Sequence, residues 1–136
     1  MTSKVIYLGD LRTEALHIRS QNTILTDAPI DNNGKGEAFS PTDLVATALG
    51  SCVMTIMGIA SNTHGIDIKG ATAEITKVMA SNPRRISEIH IIITMPKNYT
   101  DKEKVILERA AHHCPVAQSL HPDLKEVIEI KYGSDE

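Results

Sequence analysis

The stretch "SPTDLVATALGSCVMTIMGIASNTHG", residues 40–65, decides the fold. It opens with helix-start signals: Ser40 can cap, Pro41 suits the first helical position, and Asp43 stands three residues after the cap, close to a capping box. It closes on "HG", where Gly65 suits the left-handed stop of a helix. Between these ends, from Leu44 through Thr63, there is no charged residue. Leu44, Val45, Ala48, Leu49, Cys52, Val53, Ile56, Ile59 and Ala60 cover most of the circumference, which predicts a central, buried helix. Gly50, Gly58 and the alanines leave notches where another helix, from this chain or another subunit, can approach. The run is long enough to be tested as a membrane span, since about 20 apolar residues cross a bilayer. Its Thr, Ser, Gly and Asn content, its mid-chain place and the lack of a flanking Lys/Arg cluster favour a soluble core and no membrane partner.

The segments before this helix read as strands. "KVIYLG" (4–9), "EALHIR" (14–19) and "TILTDAP" (23–29) are short and rich in β-branched residues, and "DLRT" and "SQN" between them suit turns. They predict an antiparallel three-stranded meander, followed by a loop in "IDNNGKGEAFSP" (30–41). After the helix, "IDIKGATAEITKVM" (66–79) and "RISEIHIIITMP" (85–96) flank "ASNPR" as a hairpin. Ile89, Ile91, Ile93 and Met95 share one face of the second strand, and Ile92 breaks the alternation. Thr100 and Glu103 form a T-x-x-E capping box for a second helix, on which Leu107, Ala110 and Cys114 share a face. Pro115 stops that helix and opens a short one, "PVAQSL" (115–120). "LKEVIEIKY" (124–132) is a last strand and "GSDE" a loose tail. The order βββ-α-ββ-αα-β, without strict alternation, predicts an α+β fold. At 136 residues the chain is expected to form a single domain, 1–136.

Composition narrows the function. Hydrophobic residues make up 41% and charged residues 23%, so the chain can bury a core; aromatics are only 3%, so Ile, Val, Leu, Met and Ala must fill it. A net charge of −3, with Lys and Arg scattered, offers no footprint for a phosphate backbone, and no nucleic-acid partner is expected. "MTSKVIYLGD" carries no export or import signal, so a cytoplasmic location is expected.

Two cysteines, Cys52 and Cys114, lie far apart in sequence, which excludes a CxxC motif and leaves a cysteine zinc site short of ligands. In a reducing compartment they are either two buried thiols or a long-range reactive couple. A thiol is nucleophilic only as thiolate. Cys52 lies about three turns beyond Ser40, where the helix dipole has faded, so activation must come from a side chain elsewhere, best an Arg. Cys114 precedes a helix start, where free backbone N–H groups favour negative charge. Composition alone reads both as small core hydrophobes. "HHC" (112–114) resembles a ligand cluster, but consecutive helical residues diverge, so neither a shared metal nor a cofactor is expected.

"FSPTDLVATALGSC" (39–52), followed much later by "AAHHCPVAQSL" (110–120), resembles the two signature segments of the OsmC/Ohr family, the osmotically inducible and organic hydroperoxide resistance proteins. The resemblance covers nearly the whole chain. It implies the OsmC-like α+β fold, an intertwined homodimer with the cysteine-bearing helices at its centre, and active sites at the subunit interface. It also implies a thiol peroxidase in oxidative stress defence. Cys52 would attack an organic hydroperoxide and become a sulfenic acid, Cys114 would condense with it to a disulfide, and a dithiol reductant would reopen the bond. Peroxidase members carry an Arg near the first β-turn, matched by Arg12 with Arg19 as runner-up, and a Glu directly after the Pro that starts the first helix. Thr42 stands at that Glu position here, followed by Asp43. The alternative is a non-catalytic protein of the same fold that binds a hydrophobic small molecule at the dimer interface.

Overall fold

In the computed structural model, which describes residues 1–133, the chain divides into two units, Met1–Val45 and Ala46 onward. The first is the expected meander. Strands β1 (Ser3–Gly9), β2 (Arg12–His17) and β3 (Thr23–Asp27) pair antiparallel in that order. Asp10 and Leu11, both at positive φ, make the tight turn between β1 and β2, whose twist matches that of the flanking strands. Val5 and Tyr7 point to one side of β1 and Ile6 and Leu8 to the other, and all four are between 47% and 64% exposed. The chain itself buries neither set. The loop after β3 is not wholly irregular: Ile30–Asn32 forms a 3-10 turn, and Phe39 makes a parallel bridge to Thr26.

Helix α1 (Pro41–His64) begins where the sequence puts it. Ser40 Oγ accepts from the Asp43 amide at 3.1 Å, and Asp43 Oδ2 accepts from the Ser40 amide at 3.0 Å, so Asp43 completes a reciprocal cap. Gly65 follows at φ +68, and the Ile66 amide reaches back to the Ser61 carbonyl at 2.8 Å.

In the second unit, strands β4 (Thr72–Ala80), β5 (Arg85–Thr94) and β6 (Lys125–Lys131) form a sheet in the order β4-β5-β6. β4 and β5 are an antiparallel hairpin, and β6 returns parallel to β5 after α2 (Asp101–Ala111) and α3 (Pro115–Ser119). β4 starts six residues later than the sequence suggests. Gly70 at φ +97 interrupts the extended chain, and Ile66–Ala71 is irregular, anchored where the Tyr99 hydroxyl donates to the Asp67 carbonyl at 2.7 Å. The Thr100 capping box on α2 forms as expected. Of the expected tail, residues 134–136 lie outside the described residues, while the Gly133 amide donates to the Lys97 carbonyl at 3.2 Å.

The core of this unit joins Ala46, Leu49, Val53 and Met57 of α1 with Ile89, Ile91 and Ile93 of β5, Met95, and Leu107 and Ala111 of α2. Gly50 lets the helix approach the sheet, since a Cβ there would sit 2.3 Å from Ile75 Cδ1. The expectation of a wholly buried helix needs correction. One face of α1 is covered, but Ala48, Ser51, Thr55 and Ile59, which recur at helical spacing, are exposed. Apolar character all round a helix marks surface that something covers; it does not say that the same chain supplies the cover.

One residue violates the pattern of this core. Glu126 pairs with Ile89 in the β5–β6 register and so shares its face of the sheet, and its Oε1 is buried with no hydrogen-bond partner. Burial raises its carboxyl above the ordinary glutamate value, partly opposed by His112. A carboxyl whose folded value is raised contributes stability below its unfolded value and loses that contribution as pH rises through the folded one. Glu126→Gln is therefore expected to raise Tm at pH 7. Thermal melts should show the gain shrinking as pH falls below the ordinary glutamate value, and a pH-independent difference would contradict this cause.

Candidate active site

The second unit brings the two thiols together. Cys52 lies on α1 beside the buried seam of Leu49 and Val53 and is half-buried. Cys114 arrives by a different route from the one its helical spacing suggested, because α2 ends at Ala111 and the thiol is not on that helix. The amides of His112 and His113 turn back to the carbonyls of Arg109 and Ala110, and Cys114 takes an extended conformation (φ −93, ψ 127) immediately before Pro115. It is the N-terminal flanking residue of α3, and its side chain is fully buried.

The Cys114 thiol lies close enough to Cys52 for that side chain to influence its ionisation. Burial is the main reason its proton is held above the ordinary thiol value, and the neighbouring Cys52 sulfur adds to that. The amides of Val116 and Ala117 at the start of α3 pull the other way, without closing a full capping bond, and do not overcome burial. Cys114 is thus a thiol that holds its proton more firmly than usual, and Cys52 is the one solvent can reach. Both are free thiols.

The same unit has a cleft of about 420 Å³ lined by Ala60, His64, Ile106, Arg109, Ala110 and His113, and neither cysteine is among its lining residues. The "HHC" segment does not converge: His113 Nδ1 is 2.7 Å from the Arg109 carbonyl, and no group of three His, Cys, Asp or Glu positioned for a metal occurs among the described residues.

The first unit holds the candidate arginine. Arg12 stands opposite Asp27 in the β2–β3 register. Its Nε donates to Asp27 Oδ1 at 2.7 Å and its Nη2 to Asp27 Oδ2 at 2.8 Å, a bidentate pair, and Nη2 also reaches Glu37 Oε2 at 3.0 Å. Asp27 is 1% exposed, and its Oδ2 takes a further bond from the Glu37 amide at 3.0 Å. The hydrogen bonds from Arg12 keep the Asp27 carboxyl below the usual carboxylate range despite its burial, and the same bonds hold the guanidinium more firmly protonated than usual. Arg19, the runner-up, is exposed in the turn after β2. Thr42 and Asp43 are turned to the helix start, where the Thr42 hydroxyl lies 3.2 Å from Ser40 Oγ. The carboxylates on Arg12 are therefore Asp27 and Glu37, which sequence reasoning missed. The available signal was an Asp at the end of an otherwise β-branched strand, "TILTD", level with Arg12 once the meander is registered.

Comparison with known proteins agrees with this architecture. The model of the family described as "OsmC-like protein" matches residues 34–128. A crystal structure from Psychrobacter arcticus 273-4, of a protein named as an osmotic stress induced and detoxification response protein, is 58% identical, with 96% of this chain and 95% of that one covered at a TM-score of 0.93. An organic hydroperoxide resistance protein OsmC from Legionella pneumophila shares the fold at 12% identity, with 96% and 97% covered and a TM-score of 0.76. An organic hydroperoxide resistance protein from Elizabethkingia anophelis does so at 14% identity, with 98% and 97% covered and a TM-score of 0.72. No curated protein sequence matches the chain. With the family model over most of its length and the same α+β architecture in its relatives, this chain belongs to the OsmC-like family.

Proposed function

We propose that the protein is a thiol peroxidase that reduces organic hydroperoxides. The observation that carries this reading is the meeting of Cys52 and Cys114, remote in sequence, with one thiol accessible and the other buried and protonated beside it. The Cys52 thiolate attacks the terminal peroxide oxygen. The O–O bond breaks, its electron pair leaves on the alkoxide, and the alkoxide takes a proton from water to become the alcohol. The Cys52 sulfenic acid then condenses with the Cys114 thiol, releasing water and forming a disulfide, and an external dithiol returns both to thiols. That last step suits a reducing cytoplasm. The family resemblance points to Arg12 as the cation that stabilises charge developing on the peroxide. The chain works as a homodimer. The exposed stripe on α1 and the apolar residues on both sides of the first sheet are surfaces a second copy would cover.

One equivalent of cumene hydroperoxide added to the reduced protein is expected to yield a Cys52–Cys114 disulfide, seen by mass spectrometry without reductant as the loss of two hydrogens. If the thiols stay free while the protein retains an apolar ligand, the non-catalytic binding protein is the better reading.

A further inference from the structure

We propose that the cleft between the end of α1 and α2 binds a small carboxylate with a compact apolar body, an inference that goes beyond the peroxidase reading and does not depend on it. All its lining residues belong to the second unit. Ala60 and His64 of α1 are one helical turn apart, as are Ile106 and Ala110 of α2, so each helix contributes one side of the cleft. Alanine on both helices leaves the space between them open. At about 420 Å³ it falls at the small end of ligand pockets, which run from roughly 300 to 1,000 Å³.

The polar groups around this apolar floor favour an anion. No Asp or Glu lines the cleft. Of the glutamates on α2, Glu103 Oε1 accepts from the Thr100 amide at 2.9 Å and Glu108 Oε1 accepts from the Tyr132 hydroxyl at 3.0 Å, so both are engaged elsewhere. Arg109 carries a permanent charge, and its guanidinium has no hydrogen bond or ion pair among the described residues. His113 is fixed beside it. A carbonyl only accepts, so His113 Nδ1 donates to the Arg109 carbonyl at 2.7 Å, and Nε2 is the ring atom left for a ligand. On a chain of net charge −3 this grouping is a local exception. A carboxylate matches the planar fork of the guanidinium, whereas a neutral ligand would leave that fork unpaired. The floor is one turn long, about 5.4 Å, which suits a single ring or a branched alkyl group better than an extended chain.

Cyclohexanecarboxylate titrated into the full chain, followed by amide NMR and calorimetry, tests this. It is expected to bind once per chain with a Kd of about 1 mM or tighter, moving the amides of Ala60, Ile106, Ala110 and His113. Cyclohexylmethanol, the same ring without the charge, should bind at least about tenfold more weakly, and R109Q should weaken the carboxylate by about tenfold, the scale of a hydrogen bond to a charged group. A60L, which places a larger side chain in the cleft, should abolish binding. Equal affinity for the alcohol and the carboxylate overturns the proposal, as does R109Q at the wild-type affinity. So does the lack of any saturable shift in wild type, the result expected where a second copy of the chain covers the cleft. Should A60L fail to fold, the alcohol and R109Q comparisons decide. A wild type inert toward hydroperoxide removes the peroxidase reading and leaves this one standing, because the readout is binding.

Discussion

Cys52→Ser is expected to lower organic hydroperoxide consumption by on the order of 10³-fold or more, to the rate of the uncatalysed reaction with reductant. The two thiols have unequal prospects. Cys114 is fully buried and keeps its proton, because burial and the Cys52 sulfur both oppose its ionisation. Cys52 is half-buried on α1 and faces solvent on its open side. A serine there keeps the shape of the site and removes the only accessible sulfur nucleophile. Cys114→Ser should behave differently: it reacts with the first equivalent of hydroperoxide, and the Cys52 sulfenic acid, with no partner to condense with, accumulates and is trapped by dimedone. Stopped-flow peroxide consumption, together with mass spectrometry of the trapped species, checks both. Equal loss in the two variants at the first turnover, or dimedone found on Cys114 in wild type, would reverse the assignment of nucleophile and resolving thiol.

The second large effect is on stability. Leu49→Ala is expected to cost about 3 kcal/mol, within the usual range for a fully buried leucine whose cavity relaxes only in part. Leu49 is 0% exposed and belongs to the cluster that joins α1 to β5 and α2. For a chain of this size that loss corresponds to a Tm lower by about 10 °C. Urea unfolding at fixed protein concentration measures it, the concentration held constant because association would add its own stability. A loss under about 1 kcal/mol would mean that the site is not enclosed. Because Cys52 is one turn from Leu49, the cavity should also loosen the thiol pair. Disulfide formation after oxidation should slow more than the first reaction with peroxide, since closing the bond needs both sulfurs held in place.

Much of this architecture was legible in local sequence. Ser40, Pro41, Asp43 and Gly65 mark both ends of α1, and Thr100 with Glu103 marks the start of α2, because caps are decided by residues within one turn of each other. The meander and the β4–β5 hairpin follow from β-branched segments and turn residues for the same reason. The segment 66–71 carries strand-like residues, but Gly70 takes a positive φ and β4 begins only at Thr72. The spacing of Cys114 from Leu107 and Ala110 suits a helix face. The chain in fact leaves the helix at Ala111, and the thiol comes to Cys52 through the extended residue before Pro115.

By itself, then, the sequence determined the order of elements, the apolar helix at the centre and the pairing of "ALGSC" with "HCPV" that points to a family. These rest on contacts between residues near in the chain, or on motifs that can be read as strings. Only the tertiary structure decided which side of α1 this chain buries, that one thiol is sealed and the other reachable, and that Asp27 and Glu37, rather than the residues after Pro41, grip Arg12. Each of those depends on strand register, on the closure of the loop over Ala28 or on burial. These are properties of groups far apart in sequence, and they exist only once the chain has paid the entropy of bringing them together.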